Sequence, residues 1–223
     1  MQIAVIGAGS IGGTLTRRLT GAGHHVTVAN SRGPDTLAAL AAETGAEAKD
    51  LAEVAGGAEV VIVAVPQQSI PDVAARLAGT LAAGAVVVDT GNYVPHRRDM
   101  PIAALENGAV ESQWTEAQLR HPVVKAFNNI TAAHLAASGR PADATGRIAL
   151  PVAGDNPAAK ATVTGLIRQL GFDAVDAGRL GDSWRQQPGT PVYTTDLDAE
   201  GVRAALAEAD PGQTTAWRAR WAA

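Results

Sequence analysis

The sequence predicts an α/β fold, in which a mainly parallel, doubly wound sheet is covered by helices on both faces. Short apolar runs alternate with longer amphipathic stretches, which is typical of repeated strand–helix–strand units. The run Val60–Val65 is apolar throughout, as expected for a strand that is buried on both faces of a parallel sheet. A glycine-rich turn, Gly7–Gly12, joins the first apolar run to the first amphipathic stretch.

Strands are predicted where short runs are rich in Val, Ile and other apolar residues, because such runs fit the pleated, buried surface of a sheet. These runs are Ile3–Ile6, Val26–Ala29, Val60–Val65, Ala85–Asp89, Pro122–Phe127, Ile148–Ala153 and Phe172–Asp176. Helices are predicted where apolar residues recur at the helical period between turn residues. Gly21 and Gly23 end the first helix, and Asp35 or Thr36 is placed to cap the second. These helices are Ile11–Thr20, Asp35–Thr44, Ile70–Leu81, Ile130–Ala137, Pro157–Leu170 and Glu200–Ala209.

Two stretches interrupt this alternation. Gly91–Arg120 follows a strand but is long and polar, and the chain after Gly178 has no strand pattern. We therefore place a domain boundary at Gly178, with a main domain over residues 1–178 and a C-terminal segment over residues 179–223. This segment is too short to form a core of its own. It is expected to dock as a lid on the main domain or to join the two subunits of a homodimer.

The composition restricts the classes of function. Hydrophobic residues make up 46% of the 223 residues and the formal net charge is −4, which offers no clustered basic face for nucleic acid. The chain has no cysteine, so disulfides, thiolate metal sites and thiol catalysis are excluded. No charged leader precedes the first strand, and no apolar run approaches the roughly 18 residues of a membrane span. We expect a soluble cytoplasmic protein that binds neither nucleic acid nor membrane.

The turn Gly7-Ala8-Gly9-Ser10-Ile11-Gly12 matches the pattern G-x-G-x-x-G. It follows a predicted strand and opens a predicted helix, which is the context that a dinucleotide site requires. Gly7 permits the tight turn, Gly9 lets the backbone approach a pyrophosphate, and Gly12 lets helix and strand pack closely. The free N–H groups at the start of the helix would face the phosphates. The sequence therefore predicts a Rossmann-type domain that binds a dinucleotide.

The end of the second predicted strand indicates which dinucleotide is bound. An NAD site usually has an acidic residue there, which accepts from the ribose 2′-hydroxyl. This chain has Asn30-Ser31-Arg32 instead. An arginine can form a charge-assisted hydrogen bond with a 2′-phosphate, and Ser31 can add a hydroxyl. NADP(H) is therefore predicted over NAD, and the alternative is that Arg32 is only a solvated loop residue.

These segments and three others resemble the F420-dependent NADP oxidoreductase family, and they are similar to the cytosolic NADPH domain of six-transmembrane ferric reductases. The resemblance covers about residues 1–180. The segments that carry it are Ile6–Gly12, Asn30-Ser31-Arg32-Gly33-Pro34, Ala64-Val65-Pro66, Lys125-Ala126-Phe127-Asn128 and Gly154-Asp155-Asn156. The resemblance implies NADP(H) as cofactor, and F420 or a flavin as the small-molecule acceptor beside the nicotinamide.

Site residues follow from the resemblance by matching positions. Gly9, Ser10 and Ile11 would contact the pyrophosphate, and Ser31 and Arg32 would hold the 2′-phosphate. Val65 and Pro66 would line the adenosine or the linking ribose. The residues that would border the nicotinamide are Asn92, Asn128, Asn129 and Ile130, with Ala132 close by. One departure is that Gly33-Pro34 follow Arg32, where some relatives have a second basic residue.

Several alternatives remain open at this point. Lys125 is expected to extend from a strand end to solvent, or else to stabilise charge on a substrate. Asn128 and Asn129 border the cofactor or cap a helix. A second possible function is reduction of a small carbonyl or imine, with Tyr93 or Lys125 as proton donor. A third is a non-enzymatic NADP(H)-sensing module. No catalytic residue and no metal site are assigned.

Overall fold

A computed structural model describes residues 1–220 of the chain. Its main sheet has six parallel strands: β1 (Gln2–Ile6), β2 (His25–Ala29), β3 (Glu47–Ala48), β4 (Val60–Val63), β5 (Val86–Asp89) and β6 (Val123–Lys125). Their order is β3-β2-β1-β4-β5-β6, so the direction of winding reverses at β1. Ligands of such sheets bind beyond the carboxyl ends of the strands at this reversal. The predicted doubly wound parallel sheet is confirmed.

The helices cover both faces of this sheet. They are α1 (Ser10–Gly21), α2 (Ala38–Thr44), α3 (Ile70–Leu77), α4 (Ala103–Glu106), α5 (Glu111–Leu119), α6 (Ala132–Ala137), α7 (Pro157–Gln169), α8 (Ala199–Ala207) and α9 (Pro211–Ala219). Short 3₁₀ turns at Pro34–Leu37, Gln67–Ser69 and Leu180–Gln186 complete the described structure. The predicted second helix is therefore divided, since Pro34–Leu37 is a 3₁₀ turn and only the remainder is α-helical.

The last two predicted strands are separate from the main sheet. β7 (Ala149–Val152) and β8 (Asp173–Asp176) pair with each other in parallel. A single antiparallel bridge between Lys125 and Ala153 joins them to β6. The pattern thus predicted this strand–helix–strand unit correctly, but it did not indicate that β7 and β8 form a separate two-stranded sheet.

The polar stretch after β5 contains two helices that apolar periodicity did not predict. The buried face of α5 is itself polar, because Glu111, Ser112 and Thr115 are fully buried. A helix whose inner face is polar gives no hydrophobic period. The two-residue strand β3 is likewise too short to give a pattern.

Alternating residues of each strand belong to the two opposite faces of the sheet. In β1, Ile3 and Val5 belong to the core cluster that contains α1 and α7 residues, whereas Ala4 and Ile6 belong to the cluster that contains α3 residues. This alternation is the period of an extended strand. Both faces are apolar, as predicted for strands in a parallel sheet.

The C-terminal segment packs against the rest of the chain. Leu180 is fully buried in the same cluster as Val73 and Leu77 of α3. Val202 and Leu206 of α8 cover the small sheet of β7 and β8. The segment therefore completes two apolar clusters of the chain that carries it. The boundary at Gly178 and a role of the segment in dimerisation stay predictions.

Truncation of Leu180 tests whether this segment is part of the cooperative unit. Leu180→Ala should lower the free energy of unfolding by about 2–5 kcal/mol, since it removes a fully buried side chain. Leu197→Ala, at a half-buried position beside the small sheet, is the matched control and should cost less. Chemical denaturation followed by tryptophan fluorescence should show one transition for both. A Leu180→Ala loss no larger than that of the control would contradict the assignment.

Candidate dinucleotide-binding site

Close backbone packing shapes the turn between β1 and α1. Gly7 has a φ of +100°, and a Cβ there would lie 2.3 Å from the carbonyl oxygen of Ala64. A Cβ on Gly12 would lie 1.8 Å from the carbonyl oxygen of Gly7. Neither position has room for a side chain, so both glycines are required by packing alone.

Gly9 differs from these two glycines because it faces open space. A Cβ built on it has no atom within 4 Å, and its φ of −74° suits any residue. Gly9 is also the N-cap of α1, and no side chain caps this helix. The first N–H groups of α1 therefore lack a side-chain acceptor, which is the arrangement that binds a phosphate.

The loop after β2 holds Ser31 and Arg32 at the surface. The Oδ1 of Asn30 accepts from the backbone N–H of Arg32 at 2.8 Å, and its Nδ2 donates to Thr36 at 2.9 Å. The side chain of Asn30 thereby stabilises the conformation of the loop that carries Ser31 and Arg32. Ser31 and Arg32 are exposed, and no acidic residue stands between β2 and Arg32.

A cavity of about 680 Å³ lies between this loop, the Gly7–Gly12 turn and α3; we call it the loop cavity. Predicted site residues that line it are Gly7, Gly9, Asn30, Ser31, Arg32, Val65 and Pro66. The structure thus brings together residues from the ends of β1, β2 and β4. No pattern in the sequence indicated the contribution of α3, which lines the cavity with Asp72, Val73, Ala75 and Arg76, or that of Ser69 in the 3₁₀ turn before it.

The other predicted residues of the glycine turn lie just outside this cavity lining. Ser10 is exposed at the start of α1. Ile11 packs partly against the core cluster on that face of the sheet. Gly12 is buried under the turn. Contacts of Ser10 and Ile11 with a pyrophosphate stay predictions.

A second group of predicted residues lies at the ends of β5 and β6. The Nδ2 of Asn128 donates to Asn92 Oδ1 at 3.0 Å, and the Nδ2 of Asn92 donates to the carbonyl oxygen of Asn128 at 2.8 Å. Gln186 of the C-terminal segment completes the network, since its Nε2 donates to Asn128 Oδ1 at 2.9 Å. We call Asn92, Asn128 and Gln186 the amide cluster. No sequence signal indicated Gln186, which lies 58 residues from Asn128.

The residues after Asn128 continue this wall. Asn129 and Ile130 are buried, and Ala132 opens α6. The N-cap of α6 is Thr131, whose side chain accepts from the N–H of His134, so the alternative that Asn128 or Asn129 caps this helix is wrong. The Oδ1 of Asn129 is buried without a hydrogen-bond partner among the described residues. Contact of these residues with a nicotinamide stays a prediction.

Phe127 turns the chain between β6 and the amide cluster. It is buried and has a φ of +62°, in the left-handed region that bulky residues rarely adopt. Such a conformation costs on the order of 1–3 kcal/mol and is found preferentially at functional sites. The strain lies directly beside Asn128.

Lys125 is buried, and the expectation that it extends to solvent is wrong. Its side chain is 0% exposed, and its Nζ lies 3.2 Å from Asp89 Oδ2 and donates to the carbonyl oxygen of Gly91. Asp89 also accepts from Ser112 at 2.8 Å and from the N–H of Gly91 at 2.8 Å. A partner on the adjacent strand keeps the ammonium group inside, since the carboxyl ends of β5 and β6 are in register.

A second buried ion pair lies next to this one. Arg218 of α9 donates to Glu111 of α5 at 2.8 Å. Burial raises the pKa of the Glu111 carboxyl, although the charges of Lys125 and Arg218 oppose the shift. The first pair connects β5 with β6, and the second connects α5 with α9.

Tyr93, which was considered as a proton donor, is fully buried. Its hydroxyl donates to Glu106 at 2.5 Å and accepts from the N–H of Ile102 at 2.9 Å. Burial, together with the hydrogen bond to Glu106, raises the pKa of Tyr93 to about 12. The hydroxyl therefore stabilises the backbone at Ile102, the residue that precedes α4.

The described residues offer neither a metal site nor a membrane-spanning helix. Within residues 1–220, no three His, Asp or Glu side chains come together as a potential metal site. No helix in that part of the chain is long and apolar enough to cross a bilayer.

The strand order, the glycine turn and the loop cavity define a Rossmann-class dinucleotide-binding protein. The family model described as "NADP oxidoreductase coenzyme F420-dependent" matches residues 2–93. A provisionally named F420-dependent NADP-reductase from Arthrobacter sp. FB24 is 30% identical, with a TM-score of 0.66 over 81% of this chain and 86% of that one. The hypothetical protein SMa0349 from Sinorhizobium meliloti is 35% identical, with a TM-score of 0.77 over 88% of this chain and 95% of that one. The chain belongs to the F420-dependent NADP oxidoreductase family, a family of NADP-dependent oxidoreductases.

Curated relatives match over part of their length. The metalloreductase STEAP3 from Rattus norvegicus is 31% identical over 180 residues, which are 80% of this chain and 34% of that protein. The protein YjhV from Escherichia coli strain K12 is 42% identical over 73 residues, which are 33% of this chain and 53% of that protein. The chain thus spans about half of one relative and a third of the other.

The two kinds of glycine in the turn predict opposite outcomes of substitution. Gly9→Val should leave thermal unfolding nearly unchanged, because its side chain enters open space, but it should abolish NADPH binding by blocking the approach of the pyrophosphate. Gly12→Ala should lower the unfolding temperature, because its Cβ would overlap the Gly7 carbonyl group. Differential scanning fluorimetry with and without NADPH measures both effects. A Gly9→Val protein that still binds NADPH tightly would place the site elsewhere.

Proposed function

We propose that the protein transfers a hydride between NADPH and a flavin-like acceptor, F420 or a flavin. The observation that carries this proposal is that Tyr93 and Lys125, the groups considered as proton donors, are both 0% exposed and engaged in hydrogen bonds. Reduction of a carbonyl or imine needs a positioned acid within reach of the substrate. Hydride transfer between stacked rings depends mainly on placement at about 3–3.5 Å. The structure therefore favours the ring acceptor.

The loop cavity supports NADP(H) as the dinucleotide. Ser31 and Arg32 are exposed at its rim, and within residues 1–220 the Arg32 side chain has neither a hydrogen bond nor an ion pair. An unpaired guanidinium is available to a 2′-phosphate, whereas a carboxylate at this place would repel it. In this proposal the 2′-phosphoadenosine occupies the loop cavity and the pyrophosphate meets α1.

The hydrogen bonds of the amide cluster support the proposal that the nicotinamide and the acceptor bind against a rigid, preformed wall. The side chain of Asn128 is 2% exposed and holds both Asn92 and Gln186. The C-terminal segment is also anchored at Gln187, whose Oε1 accepts from the N–H of Glu111 at 3.0 Å. Residues 91–98 and 184–193 are proposed to line the acceptor pocket and to exclude water from it. The name of the Arthrobacter relative favours F420 as acceptor, and STEAP3 is likewise a reductase by name.

A homodimer and a cytoplasmic location also stay proposals. Among the large apolar side chains of residues 1–220, only Met1 and Met100 are exposed. A dimer would therefore be joined mainly through alanines and polar side chains. Multi-angle light scattering of the full chain measures the mass in solution directly.

Substitution of Arg32 tests the choice of dinucleotide. A charge-assisted hydrogen bond contributes roughly 1.5–3 kcal/mol, so Arg32→Ala should weaken NADPH binding by about tenfold to a hundredfold. NADH binding should hardly change, and it serves as the internal control. Isothermal titration calorimetry with both cofactors measures the two affinities. Equal losses, or tighter binding of NADH than of NADPH by the parent protein, would exclude a 2′-phosphate site.

A panel of acceptors tests the second substrate. NADPH oxidation should be observed with F420, FMN or FAD and be absent with a simple imine. Tyr93→Phe should retain most of the turnover, since the hydroxyl is engaged with Glu106 and with the N–H of Ile102. Imine reduction that Tyr93→Phe abolishes would support the carbonyl or imine alternative. An absence of turnover with every acceptor would favour the sensing module.

A further inference from the structure

Charged side chains from two separate elements line the loop cavity. α3 contributes Asp72 and Arg76 to the lining, while Ser31 and Arg32 stand on the loop after β2. Two cations and one carboxylate thus surround a single cavity. The floor between them is apolar and includes Ile6, Leu51, Val65 and Val73.

The packing of α3 determines which of its side chains face the cavity. Ile70, Val73 and Leu77 are buried in the core, at 1%, 4% and 2% exposure. Their burial sets the rotation of the helix, so Asp72 and Arg76 lie one turn apart on an exposed side. Both side chains reach the cavity while the helix itself is held by the core.

Neither arginine at this cavity is neutralised by the protein. Within the described chain, the side chains of Arg32 and Arg76 make no hydrogen bond or salt bridge. Asp72 is four residues before Arg76, a spacing that allows an ion pair on a helix, but no such pair is formed. Both guanidinium groups are therefore available to an anion.

A 2′-phosphate is a monoester with a charge of about −1.5 to −2 at neutral pH. One guanidinium balances only part of that charge, and Arg32 is followed by Gly33 and Pro34, so its loop offers no second cation. We propose that Arg76 supplies the second positive charge for the 2′-phosphate and thereby determines selectivity for NADP(H) together with Arg32. This inference rests on the proposed function and adds a specificity residue from α3.

Asp72 provides an independent test, because its substitution should change the affinity for a 2′-phosphate in the opposite direction. Its carboxylate lines the same cavity and repels a phosphate there. Neutralising it should therefore strengthen the binding of a 2′-phosphate, whereas removing Arg76 should weaken it. The competing explanation is that Arg76 only stabilises α3, because it lies in the last turn, where a cation interacts favourably with the helix dipole.

The experiment compares 2′,5′-ADP with 5′-AMP, which differ only in the 2′-phosphate, by isothermal titration calorimetry. Arg76→Ala should weaken 2′,5′-ADP by about tenfold and leave 5′-AMP nearly unchanged. Arg76→Lys should retain part of the affinity, and Asp72→Asn should tighten 2′,5′-ADP several-fold. Arg168→Ala is the matched control, since Arg168 is an exposed arginine in the last turn of α7, and it should change neither affinity.

The outcomes separate this inference from the proposed function. If the parent binds both ligands equally, the NADP(H) assignment fails and the role of Arg76 fails with it. If the parent prefers 2′,5′-ADP and Arg32→Ala removes that preference while Arg76→Ala does not, the proposed function stands and the role of Arg76 is overturned. A loss of thermal stability in Arg76→Ala with unchanged ligand preference would assign Arg76 to α3 alone. Retained stability with a selective loss of 2′,5′-ADP supports the proposal.

Discussion

The contact between the backbone of Gly7 and the α-carbon of Gly12 constrains the rest of this protein. It brings the start of α1 against the end of β1, where any side chain at Gly12 would overlap a carbonyl group. β1 pairs with both β2 and β4, so the same contact determines where the two neighbouring strands end relative to the helix. The loop cavity is the space left beyond those strand ends. Its position follows from backbone packing, and its chemistry follows from the loops and the helix around it.

Ion pairs also constrain the positions of chain segments at the edge of the sheet formed by β5 and β6. The Lys125–Asp89 and Arg218–Glu111 pairs join elements that are far apart in sequence. The first pair lies out of contact with water, whereas the Arg218 side chain of the second is 11% exposed. Removing one partner of such a pair leaves an uncompensated charge, at a cost of about 3–5 kcal/mol. Lys125 and Asp89 both form hydrogen bonds with Gly91, and the side chain of Asn92 is held within the amide cluster. If this region forms the acceptor wall, as proposed, such support would spare it a rearrangement before a flat ring is placed against it.

The two ends of the proposed cofactor site therefore differ in character. The end at the loop cavity is open and carries exposed arginines from the loop after β2 and from α3 on a partly apolar lining, and it suits recognition of a charged group. The end at the amide cluster is buried and internally hydrogen-bonded, and it suits positioning. Selectivity for the dinucleotide and placement of the acceptor would thus depend on separate residues. Binding of 2′-phosphate ligands and turnover with acceptors are correspondingly independent measurements.

The sequence alone determined the parallel α/β fold and the glycine turn, and it predicted NADP(H) as the cofactor, because each is encoded by neighbouring residues. Apolar runs, G-x-G-x-x-G after a strand, and Asn30-Ser31-Arg32 are local patterns whose physical meaning does not depend on the rest of the chain. The tertiary structure decided what distant residues do to one another. It buried Lys125 against Asp89, placed Gln186 on Asn128, and brought Arg76 and Arg32 to the lining of one cavity, since this placement depends on strand register and helix rotation. A helix with a polar inner face, such as α5, could be recognised only once its buried partners were in place.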